Sequence, residues 1–231
     1  MIETRVIRID PGRENAEEVR TIAASLREDA VAAYPTETFY ALGAAAFSKK
    51  AVARIYRLKG RDAAKALSVV VSDLDMVRDI AGAPPPGFAA LAGELWPGPL
   101  TLVLPAAPAV PDFLAGPGRT IAVRIPPLPW LRALARELGE PLTATSANPA
   151  GERETADPAQ VAATFGGRID LLVDGGPSPG GLPSTIVDLS GQRPRILRQG
   201  RIPAARIEAL LPDRGLTSRP RRPEYPGRRR G

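Results

Sequence analysis

Residues 34–43 read Tyr-Pro-Thr-Glu-Thr-Phe-Tyr-Ala-Leu-Gly, so two hydroxyls, Thr36 and Thr38, flank the carboxylate of Glu37 directly after the apolar run Ala30–Ala33. Polar groups crowded where a strand ends are placed to hold a small polar ligand, because α/β folds bind ligands outside the carboxyl ends of their strands. Further along, Lys59-Gly60-Arg61 with Lys65 sets cations around a flexible glycine. That arrangement suits a polyphosphate, and it equally suits a helix C-terminus that attracts positive charge. Thr145-Ser146-Ala147-Asn148-Pro149 offers hydroxyl and amide groups either to a nucleotide or to its own turn. Thr120, Ala122 and Arg124 share one face of a strand by period-two alternation, and an arginine there is an anion site or half of an ion pair. Ser184 opens a later apolar segment, and Arg198 lies just before Gly200.

Composition narrows the chemistry. The 231 residues contain no cysteine and no histidine, which excludes disulfides, thiolate nucleophiles, imidazole metal ligands and any Ser-His-Asp triad. An enzyme of this composition either needs little side-chain proton transfer or recruits Lys, Asp or Glu for it. The net charge of +6 is uneven: residues 212–231 carry seven arginines against Asp213 and Glu224, a net of +5, and the remainder about +1. No apolar run is long enough to span a bilayer and no charged-then-apolar leader opens the chain, so a cytoplasmic protein is expected.

The elements that must position these groups alternate between strand-like and helix-like. Strands are expected over 5–9, 29–34, 67–72, 100–104, 120–124, 142–145, 169–173, 185–189 and 194–197, with residues 34–43 as a loop. Helices are expected over 14–28, from an N-cap at Ser48 to Leu58, over 73–81, 87–95, 129–138 and 157–165. Trp96-Pro-Gly-Pro99 reads as a rigid turn with an aromatic plug. The expectation is a single α/β domain over residues 1–202, a twisted mixed sheet flanked by helices, followed by an extension over 203–231 whose Arg/Pro-rich tail is disordered from about residue 212.

Taken in order, Pro-Thr-Glu-Thr-x-Tyr-x-Leu-Gly, Lys-x-Arg, Trp-Pro-Gly-Pro-Leu-Thr, Arg-Ile-Pro, Thr-Ser-Ala-Asn-x-x-Gly, Pro-Ser-Thr-Ile-Val-Asp and Arg-x-Gly resemble the YrdC family over about residues 15–202. The departures, Ala41 for a frequent glycine and Ala66 for a frequent proline, remove no polar contact. The resemblance implies a concave basic cleft and synthesis of L-threonylcarbamoyladenylate from L-threonine, bicarbonate and ATP, with release of pyrophosphate. The product would feed a downstream tRNA threonylcarbamoyl transferase complex, and the basic tail is a candidate for tRNA contact.

Carried residue by residue, the resemblance implies Thr36, Thr38, Arg124 and Ser184 on L-threonine. It implies Lys59, Arg61, Lys65, Thr120, Ser146, Asn148 and Arg198 on ATP, with Lys59 and Arg61 acting on the departing phosphates. Magnesium would arrive with ATP, without dedicated protein ligands. Glu37 either orients the threonine amine or is structural, with structure favoured. Two other readings remain: an RNA-binding protein without catalysis, and a related carbamoyl-transfer or maturation domain.

Overall fold

The computed structural model describes residues 2–60, 62 and 66–211; Arg61, Lys65 and the arginine-rich tail lie outside the described residues. The strands are β1 (Arg5–Arg8), β2 (Ala32–Pro35), β3 (Tyr40–Gly43), β4 (Ser68–Val70), β5 (Leu100–Pro105), β6 (Thr120–Arg124), β7 (Leu142–Ser146), β8 (Leu171–Asp174), β9 (Thr185–Asp188) and β10 (Arg195–Arg198). The helices are α1 (Ala16–Arg27), α2 (Lys49–Lys59), α3 (Leu74–Ile80), α4 (Phe88–Leu95), α5 (Pro129–Leu138), α6 (Pro158–Phe165) and α7 (Ala204–Ala209). The strands form one mixed sheet in the order β1-β8-β2-β3-β7-β4-β6-β5-β9-β10.

Local chemistry sets the helix ends. The Ser48 hydroxyl accepts the Ala51 N–H and caps α2, the Asp157 carboxylate accepts the Ala159 N–H and caps α6, and Pro129 stands in the first turn of α5. Each satisfies or dispenses with a backbone donor that the first helical turn leaves unpaired.

Three apolar clusters pack the layers. Val19, Ile22 and Leu26 of α1 and Trp130, Leu131 and Leu134 of α5 cover Ala32, Tyr34, Val70 and Leu142. On the opposite face, Val52 and Ile55 of α2 and Val161 and Phe165 of α6 cover Val31, Ala33 and Leu42. That layer continues with Ile80 of α3, Leu91 of α4 and Ile207 of α7 over Leu102, Val123 and Val187. From β8 to β10 that face of the sheet is covered, while on the other face α1 and α5 cover one half and, among the described residues, leave the other open.

Two stretches differ from the sequence expectation. Tyr40–Gly43 is a strand, not loop: it pairs antiparallel with β2 (Tyr34↔Ala41) and with β7 (Ala41↔Ser146). Gly43 permits this packing, since a Cβ there would stand 2.1 Å from the Thr143 carbonyl oxygen and 2.6 Å from the Tyr34 ring. Beyond residue 202, α7 buries Ile207 completely, and Leu211 is buried in the same cluster.

Candidate active site

The open half-face forms a cleft of about 350 Å³. Strand register explains its floor. Ser68 lies opposite both Ala122 and Ala144, Val103 opposite Ala122, and Thr101 opposite Ile186, and all of these line the cleft. Small residues keep the floor low, while their strand neighbours Val69, Val123 and Leu102 turn into the core behind. Thr120, Ala122 and Arg124 line the cleft together, as their spacing requires.

Thr36 and Thr38 face the cleft at the β2–β3 turn. Their hydroxyl oxygens are 3.2 Å apart, and Thr36 Oγ1 donates to the Phe39 carbonyl at 2.7 Å and accepts the Thr38 N–H at 3.2 Å. Glu37 between them does not line the cleft; it forms an ion pair with Arg124, with both side chains nine-tenths or more buried. Burial, aided by nearby Arg198, pushes the Arg124 guanidinium down to about 10 against the opposing influence of Tyr34, so it remains charged at neutral pH.

Across the floor, Thr101 and Ser184 bring their hydroxyl oxygens within 3.1 Å. Arg198 donates from Nε to the Ser184 carbonyl at 3.1 Å and from Nη2 to the Ser184 hydroxyl at 3.0 Å. Burial holds the Arg198 guanidinium below its usual range, and Glu154 opposes that shift. The backbone beneath is stapled: Thr185 Oγ1 accepts the N–H groups of Gly200 and Ile202, each at 3.0 Å, and donates to the Ile202 carbonyl at 2.8 Å.

The structure brings Thr36, Thr38, Thr120, Arg124, Ser146, Ser184 and Arg198 into one cleft. Lys59 and Asn148 stand beside it. The buried Lys59 ammonium donates to the Ser146 carbonyl, to the Asn148 carbonyl at 2.7 Å and to Asn148 Oδ1 at 3.1 Å, and Asn148 Nδ2 donates to the Glu152 carbonyl at 2.6 Å. Among the described residues the charged side chains lining the cleft are Arg124, Arg198 and Glu154. Sequence reasoning missed Ser68, Thr101 and Glu154. Alternation along β5 carries a signal for Thr101, whereas nothing local marks Glu154, which lies in the loop before α6. Trp96 plugs rather than lines: it packs edge-on against Phe88 and donates from Nε1 to the Leu100 carbonyl at 2.7 Å.

Fold and site define an α/β domain with a hydroxyl- and arginine-lined ligand cleft on the open face of a mixed sheet. The Sua5–YciO–YrdC family model, described as "Telomere recombination", matches residues 24–200, and the chain belongs to this family. It is 39% identical over 219 residues to a threonylcarbamoyl-AMP synthase of Bacillus subtilis (strain 168), covering 92% of this chain and 63% of that protein. With the threonylcarbamoyl-AMP synthase of Halorhodospira halophila it is 38% identical over 183 residues, covering 79% of this chain and 90% of that one. The structure of Pyrococcus abyssi Sua5 complexed with L-threonine superposes with a TM-score of 0.86 at 35% identity, over 93% of this chain and 63% of that one. Escherichia coli YciO superposes at 0.78 with 28% identity, over 86% of this chain and 96% of that one. The chain therefore spans about 60% of the length of the Bacillus and Pyrococcus relatives.

Proposed function

We propose that this protein is an L-threonylcarbamoyladenylate synthase, making threonylcarbamoyl-AMP and pyrophosphate from L-threonine, bicarbonate and ATP. The observation that carries the reading is the convergence, in one cleft, of a buried guanidinium (Arg124), two threonine hydroxyls (Thr36, Thr38) and the Ser184–Arg198 pair, in a chain akin to proteins of that name. Arg124, Thr36, Thr38 and Ser184 form the amino-acid end. Thr120, Ser146 and Arg198 serve the nucleotide, and Arg61 and Lys65 are proposed for its phosphates. Lys59, with its ammonium on the Ser146–Asn148 backbone, lends that end its charge and holds the loop in place.

The chemistry asks little of acids and bases. The uncharged threonine amine adds to carbon dioxide and loses its N–H proton to water, or reacts with bicarbonate with loss of water, to give a carbamate. A carbamate oxygen then attacks the α-phosphorus in line, forming the new P–O bond as the bond to pyrophosphate breaks. The nucleophile is already an anion, so a chain without histidine can position the reactants and balance charge as the leaving group departs. Magnesium enters as part of the nucleotide substrate, on the phosphates. A role in the cytoplasm, supplying a tRNA threonylcarbamoyl transferase complex, follows from the same reading. Among the described residues no helix is long and apolar enough to cross a membrane.

The test is mass-spectrometric detection of threonylcarbamoyl-AMP from the purified chain supplied with all three substrates. Its absence across a range of magnesium and pH sinks the proposal. RNA binding without catalysis is the rival outcome. Deleting residues 212–231 distinguishes the two, because affinity carried by seven arginines is lost with the tail and falls steeply with salt, whereas pyrophosphate release survives.

A further inference from the structure

We infer that Glu37 is the positioning residue for Arg124: its buried carboxylate fixes the guanidinium so that the remaining N–H groups serve a ligand carboxylate in the cleft. The inference rests on the proposed amino-acid end of the site. The two residues are 87 positions apart in sequence and meet only because the β2–β3 turn lies over the end of β6. Arg124 lines the cleft and Glu37 does not, although Thr36 and Thr38 on either side of it do. Glu37 therefore sits behind the guanidinium, out of reach of a ligand.

Each partner is dedicated to the other. Among the described residues, neither Glu37 carboxylate oxygen nor Arg124 Nη1 has a hydrogen-bond partner, so the two side chains are joined as an ion pair by charge. The Arg124 guanidinium likewise makes no side-chain hydrogen bond to another described residue; its neighbours Tyr34 and Arg198 act on it through charge, and Arg198 repels it. A guanidinium reads a carboxylate through a planar fork of N–H groups, so orientation decides affinity.

Glu37 has a second effect, since its negative charge also repels an incoming carboxylate. Positioning outweighs it, because an arginine left buried without its counter-charge is strongly destabilised and leaves its geometry. Removing the charge of Glu37 should therefore weaken carboxylate recognition rather than strengthen it.

The experiment measures binding of L-threonine, L-threoninamide and ATP to the full chain by calorimetry, for the wild type, Glu37→Gln and Glu37→Asp. The wild type should prefer L-threonine to the amide, which lacks the carboxylate. In Glu37→Gln, L-threonine binding should weaken about tenfold or more and the preference over the amide should collapse, with ATP affinity within about twofold of wild type. In turnover, the KM for threonine should rise far more than kcat falls. Glu37→Asp, which keeps the charge on a shorter arm, should recover part of the preference, and it carries the test if the glutamine variant does not fold. Unchanged discrimination in either variant, or equal loss of threonine and ATP binding, overturns the inference. A wild-type protein that binds no L-threonine instead overturns the functional reading on which it rests.

Discussion

Lys59 holds Asn148 at two points, with its ammonium 2.7 Å from the backbone carbonyl oxygen and 3.1 Å from the side-chain oxygen. Its own carbonyl accepts the Ala150 N–H at 2.8 Å, so the end of α2 is stitched to the loop that follows β7. Lys59, expected on the ATP phosphates, thus also ties the end of α2 to the loop after Ser146. Lys59→Met keeps the apolar stem and removes the head, leaving buried acceptors without a donor at a cost of about 3 kcal/mol. The melting temperature should fall by roughly 6–12 °C for a domain of this size. Turnover should drop far more than threonine affinity. A variant that melts like the wild type would show that Lys59 does not clamp the loop.

Gly200 lets β10 return over the Pro183–Ser184 backbone. A Cβ there would stand 2.1 Å from the Pro183 carbonyl oxygen and 2.6 Å from the Ser184 carbonyl carbon, backbone atoms that cannot yield. Gly200→Ala should therefore displace the chain that places Arg198 on Ser184. The expected result is a loss of about 3 kcal/mol in chemical denaturation together with weakened nucleotide binding. Wild-type behaviour in both would mean that the return is more adaptable than its contacts indicate.

Residues beyond 202 belong to the packed core: Ile207 is fully buried on α7, and Leu211 packs over Gly87. Ile207→Ala should cost about 2–4 kcal/mol by urea unfolding, as truncations of large aliphatic core residues do. A chain ending at residue 211 should keep its full stability, and one ending at residue 202 should not. Equal midpoints for the two truncations would place α7 outside the cooperative core.

Above pH 10 two effects oppose each other. Burial pushes Arg124 down to about 10 and also lowers Arg198, so from about pH 10 up to the ordinary arginine range the unfolded chain binds more protons and stability should rise with pH. Burial raises the Tyr34 phenol, and it raises Tyr40 to about 12, so over the same range the folded chain binds more protons and stability should fall. Unfolding free energy should be flat with respect to these groups up to about pH 9, and above 10 Tyr40→Phe should shift its slope with pH in the positive direction. Carboxylate binding should weaken above pH 10 as Arg124 discharges, once the ionisation of the amino acid's own amine is subtracted. A slope unchanged by Tyr40→Phe would contradict the assignment.

Much of the scaffold is legible in the chain alone because its causes are local. Ser48 caps α2, Pro129 opens α5, and alternation sends Thr120, Ala122 and Arg124 to one side of β6. The absence of histidine and cysteine likewise constrained the chemistry before any contact was known. Tertiary structure decided the rest. Tyr40–Gly43 is too short and too uniformly apolar to declare its conformation, and it is a strand because β2 and β7 supply hydrogen-bonding partners on both sides. That Glu37 meets an arginine and that Lys59 holds a loop carbonyl depends on residues about 90 positions away. Periodicity can give a side chain its face; the partner of a buried charge is chosen only when the strands take their order in the sheet.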